Sequence, residues 1–295
     1  MIWGTIIAWY LFLAGLGAGA YIFSCLIEKL YPQHLKMRKI ARYIAPLAVM
    51  VGLVLLIFDA KAGLFHPWRF LLLIANLHSV MSWGVIFLAL FIVIALLIAL
   101  AEFKSWVLPR WLIVLQLVLA VSVATYTGVL LGVVRTFPLW NNPLLPLLFL
   151  ISALGAGAAC SILASFVWAR SECLDLHKLE ALHLALPVIE LVCLVALLFM
   201  TAYDSQSAAL QSVLGLLVGK YAPVFWICLI AVGLLAPFIL ELVCARSAQR
   251  AHESKGSQQD KLKWYVLAAN IGVLIGGFSL RYLIVVSALP VHIVS

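Results

Sequence analysis

Charge is what this chain has least of. Its 295 residues include 11 acidic and 19 basic side chains, so only 10% of positions are charged while 66% are hydrophobic. An average soluble domain carries roughly 25% charged residues, and so few charges exclude a water-facing globular surface. Cysteine pairs are also missing. Cys25, Cys160, Cys173, Cys193, Cys228 and Cys244 stand singly with no C-x-x-C spacing, which argues against a disulfide framework or a cysteine-held cluster; they read as small apolar fillers. Long polar connections are lacking too. None between apolar runs exceeds about twenty residues, so no soluble domain fits, and chemistry needing an iron–sulfur cluster or a molybdenum site falls to a partner.

What is present is a series of eight apolar runs, at 5–27, 43–63, 76–100, 111–134, 146–168, 181–201, 224–245 and 264–288. Each can cross a hydrocarbon core of about 30 Å at about 1.5 Å per residue, so the expected fold is an all-α membrane protein of eight transmembrane helices. The first run has no Lys or Arg before it and no small-residue cleavage site, and reads as a retained helix. Fourteen of the nineteen basic residues fall in the connections after spans 1, 3, 5 and 7, whereas the other side holds Lys61, Arg69, Arg135 and Lys220, and Arg281 lies inside span 8. The positive-inside rule then makes the odd connections cytoplasmic and both termini periplasmic. The net charge of +8 is a topology signal, and nucleic acid is not an expected partner.

Two short sequences recur. LGAGA stands at 16–20 and 154–158, and GVLLG at 128–132 is matched by GVLIG at 272–276. Four spans separate the members of each pair, so both copies run the same way. This predicts two parallel-repeat four-helix bundles, 1–140 and 141–295. The paired glycines are four residues apart and expose backbone on one helix face, for another helix or for a flat ring.

Ionisable groups within a membrane cost about 2.5–3.5 kcal/mol on insertion scales, so each one asks for a reason. The topology places Tyr10 on span 1, Asp59 on span 2, His78 with Ser79 and Ser82 on span 3, and Tyr126 on span 4 at similar depth near the outer face. Setting Pro46 against Pro187 puts Met200 where the first half has Asp59, so one functional site in the first bundle is expected. A quinone suits these groups. Its two oxygens need hydrogen-bond donors, its reduction takes two protons, and its tail needs an apolar slot. In that reading Tyr126 binds one oxygen, Tyr10 or His78 the other, and Asp59 relays protons. Taken alone, the tyrosines also fit interface-seeking aromatics, His78 a satisfied core histidine, and Asp59 a helix-end partner of Lys61 or Arg69. A second polar line, Glu180, His183, Pro187 and Glu190, shares one face of span 6. It reads either as a proton route through His183 and Glu190 or as a polar seam joining the bundles.

Four stretches, YLFLAGLGAG at 10–19, FDAKAGLFHPWRF at 58–70 followed by HSVMSWG at 78–84, YTGVLLGVVRTFPLWNN at 126–142, and SALGAGAA at 152–159, resemble the NrfD-like membrane subunits of polysulfide reductase and cytochrome-linked nitrite reductase. The resemblance covers nearly the whole chain. It implies a bacterial inner-membrane anchor without haem or iron–sulfur cluster of its own. Such an anchor binds quinone or menaquinone and exchanges electrons with a periplasmic four-cluster, ferredoxin-like iron–sulfur subunit. That subunit serves a catalytic one, often a molybdopterin enzyme, so the anchor does not itself transform the terminal substrate. Tyr126 matches the quinone-binding tyrosine, Tyr10 stands where some relatives have histidine, and Asp59 and His78 match polar positions around the site. His66, Arg69, Arg135, Trp140 and Asn141 fall on the outer rim facing the partner.

Two other classes compete. A dihaem cytochrome b anchor needs paired axial histidines, but only His78 and His183 of the seven histidines lie clearly within spans, towards opposite faces. A secondary transporter fits parallel bundles with a midplane acid, yet gives no reason for polar groups to gather at one face.

Overall fold

The computed structural model describes residues 4–59, 79–168, 179–250 and 257–291. The helices are α1 (Thr5–Leu30), α2 (Leu35–Asp59), α3 (Val80–Lys104), α4 (Arg110–Gly132), α5 (Leu144–Trp168), α6 (Glu180–Ala202) and a short α7 (Ser207–Leu217). A π-helical segment, Val224–Leu235, then runs directly into α8 (Ala236–Arg250), and α9 (Ser257–Ser287) follows. Among the described residues eight stretches are long and apolar enough to cross a membrane, and no strand occurs. Large apolar side chains such as Leu47, Val51, Val93, Leu97, Val118, Val192 and Phe199 remain exposed along the helices, as lipid contact requires.

The second span starts earlier than hydropathy suggests, at Leu35. Residues 35–42 hold Lys36, Arg38, Lys39 and Arg42, which push a hydropathy window out of the membrane. The fold neutralises most of them. Arg42 is only 4% exposed, donates to Glu28 Oε2 at 2.6 Å and pairs with Glu102, while Arg38 lies 3.2 Å from Glu102 and 3.5 Å from Glu28. These charge-assisted contacts clasp α1, α2 and α3 at the face opposite the chain termini. The other addition is α7, which turns Ala208, Ala209, Val213 and Leu216 inward from within the connection between α6 and the π-helical segment.

Helix α1 is central, packing on α2, α4, α5 and α9. The two LGAGA stretches touch each other: a Cβ on Gly19 would run into the Ala153 carbonyl, and one on Gly157 into the backbone of Gly19 and Ala20. Gly276 likewise meets Gly233, and Gly128 meets Pro146. Close helix contact therefore occupies these glycine faces, and a flat ligand has no room there.

Candidate functional site

Tyr126 sits on α4, six residues before its end at Gly132, where α4 meets the first turns of α3. Gly84 of α3 makes this fit possible: a Cβ there would fall within the Tyr126 ring, against its ζ carbon and hydroxyl. Tyr10 of α1 faces the same place and is close enough for the two phenols to interact electrostatically. Both are buried, at 2% exposure for Tyr10 and 6% for Tyr126. Neither hydroxyl has a hydrogen-bond partner among the described residues. Each phenol has an O–H that can donate to a polar atom placed between them. Gly84→Ala is expected to push the Tyr126 ring aside and to destabilise the protein by about 1–3 kcal/mol, the usual cost of overpacking; thermal unfolding in detergent checks this.

Asp59 is the last residue of α2. Since Gly52 of α2 abuts Tyr10 and Leu13 of α1, Asp59 lies about two turns further towards the terminal face. Its side chain lies outside what is described, as do residues His66, Arg69 and His78. Arg135 and Asn141 are exposed. Trp140 is not: it is 2% exposed, and its Nε1 donates to the Ile284 carbonyl at 2.7 Å. The Trp-Asn-Asn turn is thus tied down from beneath. Asn142 Nδ2 donates to the Leu197 carbonyl at 3.3 Å, and its Oδ1 accepts from Leu144 N–H at 3.0 Å. Trp140 and Asn142 fasten the turn to α6 and α9 and leave Asn141 as its outward side chain.

A second polar group lies in the other half. His183 Nδ1 is 3.7 Å from Glu241 Oε1 of α8, and both residues line a narrow cavity with Pro187, Glu190 and Asn270. Glu190 is 8% exposed and lies near the Ser152 hydroxyl of α5, which accepts from Arg281 Nη1 at 3.0 Å. Arg281 is wholly buried. Its other contacts are the Gly277 carbonyl at 2.8 Å, the Phe149 carbonyl at 3.3 Å, and the faces of Phe149 and Phe12 at 5.1 and 5.8 Å. Helical spacing brought His183 and Glu190 to one face. Glu241, Asn270, Ser152 and Arg281 went unassigned, although a lone arginine inside an apolar span was itself a signal.

Residues 1–291 match the family described as "Polysulphide reductase, NrfD". The chain belongs to the NrfD polysulphide reductase family. Among curated NrfD-family relatives, a component chain of the polysulfide reductase of Wolinella succinogenes is 32% identical over 266 positions, covering 82% of this chain and 83% of that one. Protein NrfD of Escherichia coli is 32% identical over 286 positions, covering 84% and 86%. A selenate reductase subunit of Mesobacillus selenatarsenatis is 25% identical over 338 positions, covering 97% and 74%. With eight apolar helices of spanning length, this NrfD-family member is a multi-pass membrane protein.

Proposed function

We propose that the chain is the membrane anchor of a respiratory reductase complex and binds quinone or quinol between α1, α3 and α4. The observation that carries this reading is the facing pair of buried phenols, Tyr10 and Tyr126, without partners among the described residues and with Gly84 clearing room for one ring. The Tyr126 O–H donates to one quinone oxygen, Tyr10 or His78 serves the other, and Asp59 relays the protons that accompany two electrons. The apolar exterior of α3 and α4 accommodates the isoprenoid tail. In this reading the termini and the site face the periplasm of a bacterial inner membrane, and the chain is two parallel repeats, 1–140 and 141–295. Arg135 and Asn141, with His66 and Arg69, form a rim on which a four-cluster iron–sulfur subunit docks, and Trp140 supports that rim from below. A catalytic subunit, molybdopterin-type or multihaem, lies beyond. The relatives named as parts of polysulfide and selenate reductases support this assignment. His183 and Glu190 form a separate proton route from the cytoplasmic face.

Purification in mild detergent tests the assignment. An iron–sulfur subunit and extractable quinone are expected to accompany the chain. A reduced α-band from the chain itself would favour the dihaem anchor instead, and substrate flux by the isolated chain without redox partners would favour a transporter.

A further inference from the structure

The cavity between α5, α6, α8, α9 and the π-helical segment is not explained by an electron-carrying anchor. Its volume is about 30 Å³, and its lining includes His183, Pro187, Glu190, Glu241 and Asn270. A water needs at least about 10–15 Å³ of such space with polar neighbours, so about two waters fit. The polar neighbours are present and unsatisfied: His183 Nε2 and Glu241 Oε2 are buried with no hydrogen-bond partner among the described residues. Pro187 has no N–H to give the His183 carbonyl, which adds an acceptor at the same place. A purely structural seam would close these atoms on one another. Here His183 and Glu241 meet at 3.7 Å and leave their outer atoms unpaired.

His183 and Glu190 are seven residues apart on α6, about 10 Å along the axis, too far for direct transfer. Water in the cavity closes that gap. The charged or titratable groups lining it are His183 and Glu190 of α6 and Glu241 of α8, with Asn270 of α9 as a neutral polar neighbour; beside Glu190, outside the cavity lining, stand Cys193 of α6, Arg281 of α9 and Ser152 of α5. Arg281, reached through Ser152, balances Glu190 when that carboxylate is ionised, and its packing against Gly15 sets this end of the line on α1, the helix that carries Tyr10.

We propose that Glu241 is a proton-carrying residue, paired with His183, that passes protons through cavity water to Glu190 and so moves protons into the membrane from the face opposite the termini. The proton enters on a Glu241 carboxylate oxygen and leaves it for water. That water protonates Glu190, and Glu241 is again ionised to accept the next proton; no electron moves in these steps. Arg281 is a positioning residue and carries no proton. The inference extends the His183–Glu190 route proposed above and rests on the quinone reading for the reaction that drives proton movement.

The test uses the purified complex in proteoliposomes, with quinol-analogue turnover and proton movement recorded together. Glu241→Gln is expected to keep turnover in detergent while protons moved per electron pair fall to the level of scalar quinone chemistry, and Glu241→Asp to restore them. If the Gln variant does not assemble, His183→Gln reads the same outcome. Unchanged proton movement in an assembled Gln variant, or no proton movement beyond scalar chemistry in the wild type, overturns the proposal. Tyr126→Phe in parallel separates the two readings: undiminished quinol turnover there sinks the quinone site, yet leaves the Glu241 result interpretable.

Discussion

Tyr126→Phe is expected to cut quinol oxidation by the intact complex by about a hundredfold while leaving its assembly unchanged. The substitution removes one hydroxyl and keeps the ring that fills the space beside Gly84, so packing is preserved and the lost function is hydrogen bonding alone. A donor or acid–base group placed on a reacting oxygen contributes about 10²–10⁴-fold, and the lower end applies because Tyr10 faces the same site. Steady-state rates with a soluble quinol analogue check this, with electron transfer from an artificial donor to the catalytic subunit as the control. Equal quinol rates in variant and wild type would remove Tyr126 from the site. Tyr10→Phe should cost less if Tyr10 serves only the second oxygen.

Arg281→Met should destabilise the protein by about 3–5 kcal/mol, because it removes three buried charge-assisted hydrogen bonds, each worth about 1.5–3 kcal/mol at most, and a positive charge near Glu190. Arg281 is fully buried where α9 meets α1 and α5, and holds the Ser152 hydroxyl and two backbone carbonyls. Losing it frees those acceptors and leaves the Glu190 carboxylate uncompensated. Thermal unfolding in detergent reads the loss. Arg281→Met with Glu190→Gln should recover a good part of it, because the uncompensated charge is then gone as well. If the double variant were no more stable than Arg281→Met alone, the loss would come from the arginine's backbone contacts and packing, and Glu190 would play no part in it.

Much of the helical layout could be read from hydropathy. The spans near α3, α4, α5 and α6 are long apolar runs bounded by polar breaks, and their ends fall within a few residues of expectation. The first turns of α2 escaped because windows count Lys36, Arg38, Lys39 and Arg42 as isolated costs, whereas Glu28 and Glu102 offset Arg38 and Arg42 across two other helices. The site shows the same division. Tyr10 and Tyr126 stood out as polar groups at one depth, but the need for Gly84 beside Tyr126 depends on how α3 approaches α4, which no spacing encodes. Trp140 looked like an interfacial aromatic; only the docking of its turn on α9 makes it a buried donor to Ile284.

By itself the sequence determined that this chain is helical and membrane-spanning, because segment length and apolar composition act locally and answer directly to bilayer thickness. Tertiary structure alone decided that the LGAGA glycines serve helix contact, that Arg281 and Glu190 flank one serine, and that Glu241 shares a cavity with His183. Those outcomes depend on which helix faces meet, and in lipid such meetings follow from close packing and polar pairing between distant segments.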